Sequence, residues 1–329
     1  MQTDELEPTL DLIRCLSCEE WRSGEWVASQ LSLSRAAVWK RIRKLTDIGV
    51  SVERNKKRGY RLSKRLELLD VGLIASRLDR LLEAPPKVAL SPVCDSTNTR
   101  LLERVRCGDG AAASVLLAEM QTAGRGRRGR NWTSPFGRNV YLSYSWRCER
   151  GVSGLSGLSL AAGVMVAEAI SSSTGLAVML KWPNDLLIGS AKCGGILIDV
   201  DGDLEGAVDV VIGVGLNVDM EGFEALAVNQ PWTDLNSHLQ VPVSRNELAA
   251  LVIAALCSGL SRFREAGFAE FRNRWLMRDA LAGKEVSVST PGKIVSGTEI
   301  GVSPTGGLLV SVGGDTIEVN SGDASLRLQ

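Results

Sequence analysis

Between Arg35 and Arg65 the chain carries twelve Lys and Arg residues against two acidic ones. Unpaired charges are costly to take out of water, so this stretch has to form a surface while its few apolar residues supply an inside. They are spaced to do so. Val38, Ile42 and Leu45 fall at i, i+4 and i+7, which predicts a helix over Arg35–Thr46 with Ser34 as its N-cap. Arg35, Trp39 and Arg43 then share a second face, flanked by Lys40 and Lys44. Upstream, Pro8–Cys18 and Gly24–Leu31 read as two more helices. Downstream, Val50–Val52, the basic turn Arg54–Gly59 and Tyr60–Leu62 read as strand, turn and strand. Three helices followed by a β-wing with a cationic tip is the pattern of a winged helix-turn-helix, whose recognition helix enters the major groove of DNA. On that reading Ser34, Arg35, Trp39, Lys40 and Arg43 face the groove, and Lys56, Lys57 and Arg58 meet phosphates.

The excess charge is confined to this end. Residues 1–66 hold 14 basic and 9 acidic side chains and the remainder 24 and 29, so the whole chain balances at 38 of each. A basic module joined to a mildly acidic remainder implies a polyanion-binding unit attached to something else. The length of 329 residues allows two or three domains, and 44% hydrophobic against 23% charged residues excludes a disordered chain. No unbroken run of 18 apolar residues occurs, so neither a membrane span nor a membrane partner is expected. The acidic start Met1–Glu5 does not resemble a signal peptide. Seven scattered cysteines are expected to be reduced thiols of a cytoplasmic protein. Cys15 and Cys18 form a C-x-x-C with no second pair, and packing on one helix face is expected of them rather than redox or metal chemistry. His238, the only histidine, weighs against Ser/His/Asp and zinc hydrolases.

Leu66–Pro86 reads as a short helix and a connection ending in Pro85-Pro86. Strand-like runs then alternate with helical ones: Ser114–Glu119, Val140–Trp146, Val178–Lys181, Gly194–Val200 and Ala207–Val218 against Leu158–Ser172, Arg245–Phe263 and Gly267–Met277. Lys284–Gln329 is short strands with Gly-rich turns, which predicts a small β-barrel. The class expected is α+β.

Five motifs carry chemistry. Gly124-Arg125-Gly126-Arg127-Arg128-Gly129-Arg130 matches G-x-G-x-x-G, but Asn131–Gly137 cannot open the helix that a dinucleotide site requires. A kinase glycine loop fails for want of the following strand motif. What remains is a mobile glycine-jointed loop with four arginines, suited to folding over an anion. Lys181-Trp182-Pro183-Asn184-Asp185 ends an apolar strand in a stiffened turn. Lys192-Cys193-Gly194-Gly195 sets a cation before two glycines that allow close approach to backbone. Gly213-Val214-Gly215-Leu216-Asn217 is a glycine-opened strand end, and Asp95-Ser96-Thr97-Asn98 is a cluster of short hydrogen-bonding side chains. Each alone is ordinary turn chemistry.

In this order and spacing the five motifs resemble the biotin protein ligase family, and the basic N-terminal module resembles its bifunctional branch, a biotin ligase that is also the biotin operon repressor. The resemblance spans residues 10–280, and the terminal segment more loosely. It implies a winged helix-turn-helix domain at 1–66, a biotin/lipoate-ligase-like (class II synthetase-like) α/β domain at 67–280, and an SH3-like barrel at 281–329. It implies ATP-dependent formation of biotinyl-5′-adenylate with Mg²⁺. Transfer of biotin then follows to a lysine of the biotin carboxyl carrier protein of acetyl-CoA carboxylase, with operator DNA and a ligand-promoted homodimer as the other partners. By position, Arg125, Arg127 and Lys192 meet carboxylate and phosphate. Ser96, Thr97 and Gln121, with Asn98 and Gly126 alongside, surround biotin. Lys181, Asn184, Trp132, Asn217 and Trp232 lie by the nucleotide, and Asp185 orients a transferring group or meets Mg²⁺ indirectly. No metal ligands are assigned. A lipoate or octanoyl ligase is disfavoured, since no histidine precedes His238. A biotin-sensing transcription factor without ligase activity and a ligase with a vestigial N-terminal domain stay open.

Overall fold

The computed structural model describes the chain apart from residues 1–6, 109–112, 203–205, 224–229, 291–292, 321–324 and 329; the acidic start lies outside the described residues. At the N-terminal end, α1 (Glu7–Cys15), α2 (Gly24–Gln30) and α3 (Arg35–Asp47) close around Leu12, Val27, Val38, Ile42 and Leu45. Ser23 and Ser34 cap α2 and α3 by accepting the N–H groups of Trp26 and Ala37 at 3.0 and 3.2 Å. The wing pairs β1 (Val52–Asn55) with β2 (Gly59–Leu62). Its strands run further than the sequence pattern indicates. They take in Arg54 and Asn55, whose amide oxygen accepts from the N–H groups of Lys57 and Arg58 and tightens the tip to three cations.

Helix α1 stops at Cys15, so Cys15 and Cys18 do not share a helix face as expected. The cause is Ser17, whose hydroxyl accepts from Glu19 and Glu20 and whose carbonyl takes the N–H of Leu62, turning the chain out of the helix. Both thiols are free, and Cys18 packs against the N-terminal core.

The Leu66–Pro86 segment holds the short helix that its sequence predicts. Asp70 caps α4 (Val71–Leu81), whose Ile74 and Leu78 are fully buried in the main core. There follow β3 (Lys87–Cys94), α5 (Thr97–Arg106), β4 (Ser114–Gln121), β5 (Val140–Cys148), α6 (Leu158–Thr174), β6 (Val178–Lys181), β7 (Asp185–Ile188), β8 (Ala191–Asp201), β9 (Val208–Leu216), α7 (Arg245–Ala266) and α8 (Ala269–Leu276). The strands form one sheet in the order β3-β4-β5-β9-β8-β7-β6. Only β3 and β4 run parallel; every other neighbour is antiparallel. Leu142, Tyr144, Ile212 and Val214 on one face meet the core built with α6 and α7, while Leu116 and Val211 on the other meet Leu101 of α5. Two helical stretches, Val152–Thr174 and Arg245–Ala266, are long and apolar enough to cross a membrane, although the sequence shows no unbroken apolar run of that length. In each, more than half of its most apolar 18-residue window is buried, and α6 packs directly on α7.

The C-terminal strands β10 (Glu285–Thr290), β11 (Lys293–Val302), β12 (Leu308–Val312), β13 (Asp315–Val319) and β14 (Ser325–Leu328) form an antiparallel sheet ordered β13-β12-β11-β10-β14. This small antiparallel β-domain is what the short strands and Gly-rich turns predict. Its inward side chains Val286, Val288, Val302 and Val310 belong to the same core as α6 and α7.

One buried ion pair binds these pieces. Arg245, at the start of α7, donates to Glu119 of β4 at 2.8 Å, and the two side chains are 4% and 1% exposed. Glu119 also accepts the N–H of Leu69, while Arg245 donates to the carbonyls of Asn139 and Glu67. Glu67 in turn accepts from Ser244, Asn246 and the Arg245 N–H at 2.6, 2.9 and 2.7 Å, and these bonds hold its carboxyl below the usual range against the opposing effect of burial. Removing one partner strands the other charge without water. Arg245→Ala is therefore expected to lower the unfolding free energy by about 3–5 kcal/mol, read by denaturant unfolding of the full chain. A loss below about 1 kcal/mol would mean the pair behaves like a solvated one.

Candidate active site

A cavity of about 440 Å³ opens on the α5 side of the central sheet. Its floor exists because β9 alternates glycine on that face. A Cβ on Gly213 would collide with the Asn98 amide, and one on Gly215 would lie 2.7 Å from the indole of Trp132. The glycines let a helix end and an aromatic ring lie directly on the strand.

At one end Ser96 caps α5, and Ser96, Thr97 and Asn98 are all buried. The Thr97 N–H and hydroxyl both donate to the Gln121 carbonyl oxygen, at 2.8 and 3.1 Å. The Ser143 hydroxyl bridges Thr97 and Asn98, and the Asn98 amide donates to Leu197 O and to Asp199. Such a fully interlinked polar cluster is preorganised for a neutral ligand group with donors and acceptors. Leu197 and the ring of Trp132 provide apolar wall beyond it.

The arginine segment lies across the cavity. It does not start a helix, in accord with the rejection of a dinucleotide loop; only a single 3₁₀ turn forms at Arg127–Gly129, with Arg128 left-handed at φ 58°. Where the sequence implies an open loop, the structure draws a closed turn. Gly126 N–H donates to Arg130 O at 2.6 Å and Trp132 N–H to Gly124 O at 2.8 Å. Arg125 is held by Asp199 at 2.5 Å, and Arg125, Arg127 and Arg130 all reach the cavity wall.

At the far end the Lys181–Asp185 motif forms the hairpin between β6 and β7, with a cis Trp182–Pro183 peptide. Sequence reading missed β7, which is too short to show alternation. Asn184 lines the cavity and donates from its side chain to Ile196 O. Asp185 does not line it; its carboxylate pairs with Lys192 at 2.5 Å, the two side chains being 16% and 12% exposed. Lys181 is also off the cavity wall, facing Asp185 across the hairpin. Burial lowers its pKa, and Asp185 works against that shift. The Lys192 ammonium sits 5.4 Å from the Trp132 ring centre. Backbone bonds from Lys192 to Pro231 and Thr233 bring Trp232 alongside, and the Asn217 side chain donates to Thr233 O. The Trp132 indole N–H is buried with no partner. Thus Ser96, Thr97, Asn98, Gln121, Arg125, Gly126, Arg127, Trp132, Asn184, Lys192, Asn217 and Trp232 converge on one cavity, and Lys181 and Asp185 stand behind it.

Ser143 and Asp199 organise this site and carry no motif. Each is a polar residue flanked by apolar ones within its strand, and that alternation was the one available signal. Taken together, the cavity offers a polar neutral end, an apolar middle and a cationic far wall. It suits an anionic ligand that also carries a neutral hydrogen-bonding group.

The basic N-terminal surface is a separate site. Trp39 of α3 is 48% exposed, and Lys40, Arg43, Lys56, Lys57 and Arg58 are exposed around it. Arg35 pairs with Glu25 on α2, Arg58 stacks on Trp21 at 5.0 Å, and the Ser34 hydroxyl is committed to its cap.

The comparisons with known proteins fall on the same three parts. Residues 9–61 match a helix-turn-helix (HTH) domain model, 90–217 the biotin/lipoate A/B protein ligase family, and 282–327 the biotin protein ligase C-terminal domain. The bifunctional ligase/repressor BirA of Escherichia coli is 38% identical, the match covering 97% of each chain. BirA of Bacillus subtilis is 27% identical over 96% of this chain and 98% of its own. The structure of the biotin protein ligase of Aquifex aeolicus, in complex with biotin and ATP, is 28% identical. It covers 74% of this chain and 99% of its own, with a TM-score of 0.65. A common fold, the shared order of domains and identity along nearly the whole length leave one assignment: the chain belongs to the biotin protein ligase family, in the branch that joins a ligase to a repressor.

Proposed function

We propose that residues 67–280 form biotinyl-5′-adenylate from biotin and ATP and pass biotin to a carrier lysine, with 1–66 as the operator-binding domain and 281–329 as a supporting one. The observation that carries this reading is the cavity with hydrogen-bonding side chains at one end and Arg125, Arg127 and Lys192 at the other. Ser96, Thr97 and Gln121, with Asn98 and Gly126, take the ureido ring; Trp132, Asn217, Trp232 and Asn184 take the nucleotide. Biotin's carboxylate is already ionised at neutral pH, so the site needs cations more than a base. A carboxylate oxygen attacks the α-phosphorus, the bond to the bridging oxygen breaks, and pyrophosphate leaves. The carrier lysine's amine then attacks the acyl carbon and AMP departs. Arg125, Arg127 and Lys192 offset the two anions, with Lys181 and Asp185 fixing Lys192 from behind.

Among the described residues no group of three His, Cys, Asp or Glu side chains is built to hold a metal. The donor set therefore fits Mg²⁺ carried on ATP phosphates, with Asp185 as the nearby carboxylate. The protein acts in the cytoplasm, and its acceptor is the carrier protein of acetyl-CoA carboxylase. The adenylate doubles as corepressor: it bridges the arginine turn, promotes a homodimer, and so sets two α3 helices on a palindromic operator.

Incubation with ATP, radiolabelled biotin and a biotin carrier domain is expected to give labelled carrier; labelled adenylate held without transfer, or no label at all, would leave only the sensor reading. Lys192→Ala should keep its fold and lose about 2–4 kcal/mol of transition-state stabilisation in single-turnover adenylate formation. On the DNA side, replacing Lys56, Lys57 and Arg58 by Ala should weaken binding to all sequences alike. The salt slope should flatten by up to about 0.9 per lost phosphate contact. An operator affinity indifferent to biotin plus ATP would refute the corepressor role.

A further inference from the structure

Glu299 takes no part in the site as described so far. It lies on β11, is 0% exposed, and neither of its carboxyl oxygens has a hydrogen-bond partner. A buried polar group left so calls for a cause. The acid facing it is Asp279, just past α8, whose one oxygen accepts the Leu281 N–H at 3.0 Å while the other is equally unpartnered. The backbone fixes this meeting. Glu299 N–H donates to Lys284 O and Gly283 N–H to Glu299 O, both at 2.9 Å. Asp279 bridges in register with Leu180, and bonds of 2.7 and 2.9 Å join Leu180 to Arg278 and Ala280. The next residue is Lys181, whose cross-strand partner Asp185 holds Lys192. Charge thus alternates from the C-terminal sheet to the cavity: the carboxyl pair, Lys181, Asp185, Lys192.

We propose that Glu299 is a positioning residue for adenylate formation, acting through Asp279 and Lys181 on the Asp185–Lys192 pair. The proposal rests on the ligase reading above. Two buried carboxyls face to face hold one proton between them, since both cannot ionise there. Burial first, and Asp279 second, push Glu299 up to about 9; Asp279 is raised by burial as well. Glu299 keeps the proton and donates it to the unpartnered Asp279 oxygen, and the pair carries one negative charge. The charged groups around it are Lys181 and Lys284; those around Lys181 are Asp185 and Glu299 on one side of the balance and Lys192 and Arg130 on the other. Without the Glu299 proton, the second oxygen of Asp279 has no donor, only the Leu281 N–H remains to the carboxylate, and Asp279 is driven neutral. Lys181 then loses the negative charge of the carboxyl pair and keeps Asp185 alone as its counter-charge, gives up its proton at lower pH, and leaves Asp185 to hold Lys192 back from the reacting anions.

The test is biotin-dependent exchange of labelled pyrophosphate into ATP by the full chain, followed from neutral to alkaline pH. Glu299→Ala is expected to lower kcat about tenfold, less than loss of a direct oxyanion donor, with KM for biotin unchanged and the alkaline limb moved to lower pH. Glu299→Gln, whose amide N–H can serve Asp279, should restore most of kcat and return the limb toward its wild-type place. Asp279→Asn should move the limb as Glu299→Ala does, and supplies the comparison if the alanine variant does not fold. Thermal unfolding gives a second readout. The unfolded chain ionises Glu299 in the ordinary carboxylate range while the folded chain keeps its proton up to about 9. Wild-type stability should therefore fall relative to Glu299→Gln as pH rises across that window. A folded Glu299→Ala with wild-type kcat, or an alkaline limb that no variant moves, overturns the proposal. A wild type without exchange activity overturns the ligase reading instead.

Discussion

A charge taken out of water stays charged only if every lone pair and proton around it is answered, and the Glu119–Arg245 pair is answered only in the assembled fold. The chain leaving the wing supplies Glu67 and Leu69, β4 supplies Glu119, the turn before β5 supplies Asn139, and α7 supplies Arg245. None of these contacts is local. They fix the winged helix-turn-helix connection to the same strand whose next polar residue, Gln121, orders the polar end of the cavity through Thr97. A continuous set of hydrogen bonds therefore runs from the end of the wing to the small-molecule site.

The cavity solves an electrostatic problem by division of labour. Two of the cations at the cavity are each paired with an acid: Arg125 with Asp199 and Lys192 with Asp185. An unsteadied cluster of like charges would repel itself in a partly dry pocket. The two carboxylates keep the cations together without lining the cavity themselves. The same logic continues past the cavity. Lys181 balances Asp185, and the C-terminal sheet ends the series with Glu299 and Asp279. That sheet is also bound to the hairpin by Trp182, whose indole N–H donates to Gly306 O at 3.2 Å.

Much of this was legible in the residues. The spacing of Val38, Ile42 and Leu45, Ser34 before them and the cations after them name a helix, its cap and its exposed face, because these are decided within a few turns of chain. The glycine motifs likewise announced backbone approach, and twelve of the residues singled out for the ligand line a single cavity. Local rules failed where a distant partner decided. Helix α1 ends early because Ser17 pairs with Leu62, and α4 joins the main core because it packs on α7.

The sequence by itself determined the helices, most strands, the sign of charge on each surface and which short motifs could touch a ligand, since periodicity and glycine act on neighbours. Only the tertiary structure decided which acid steadies which cation. Asp199, Ser143, Asp279 and Glu299 carry no local signature; each acquires its role from a side chain tens of residues away, brought near by strand register and by the burial that makes a lone charge intolerable.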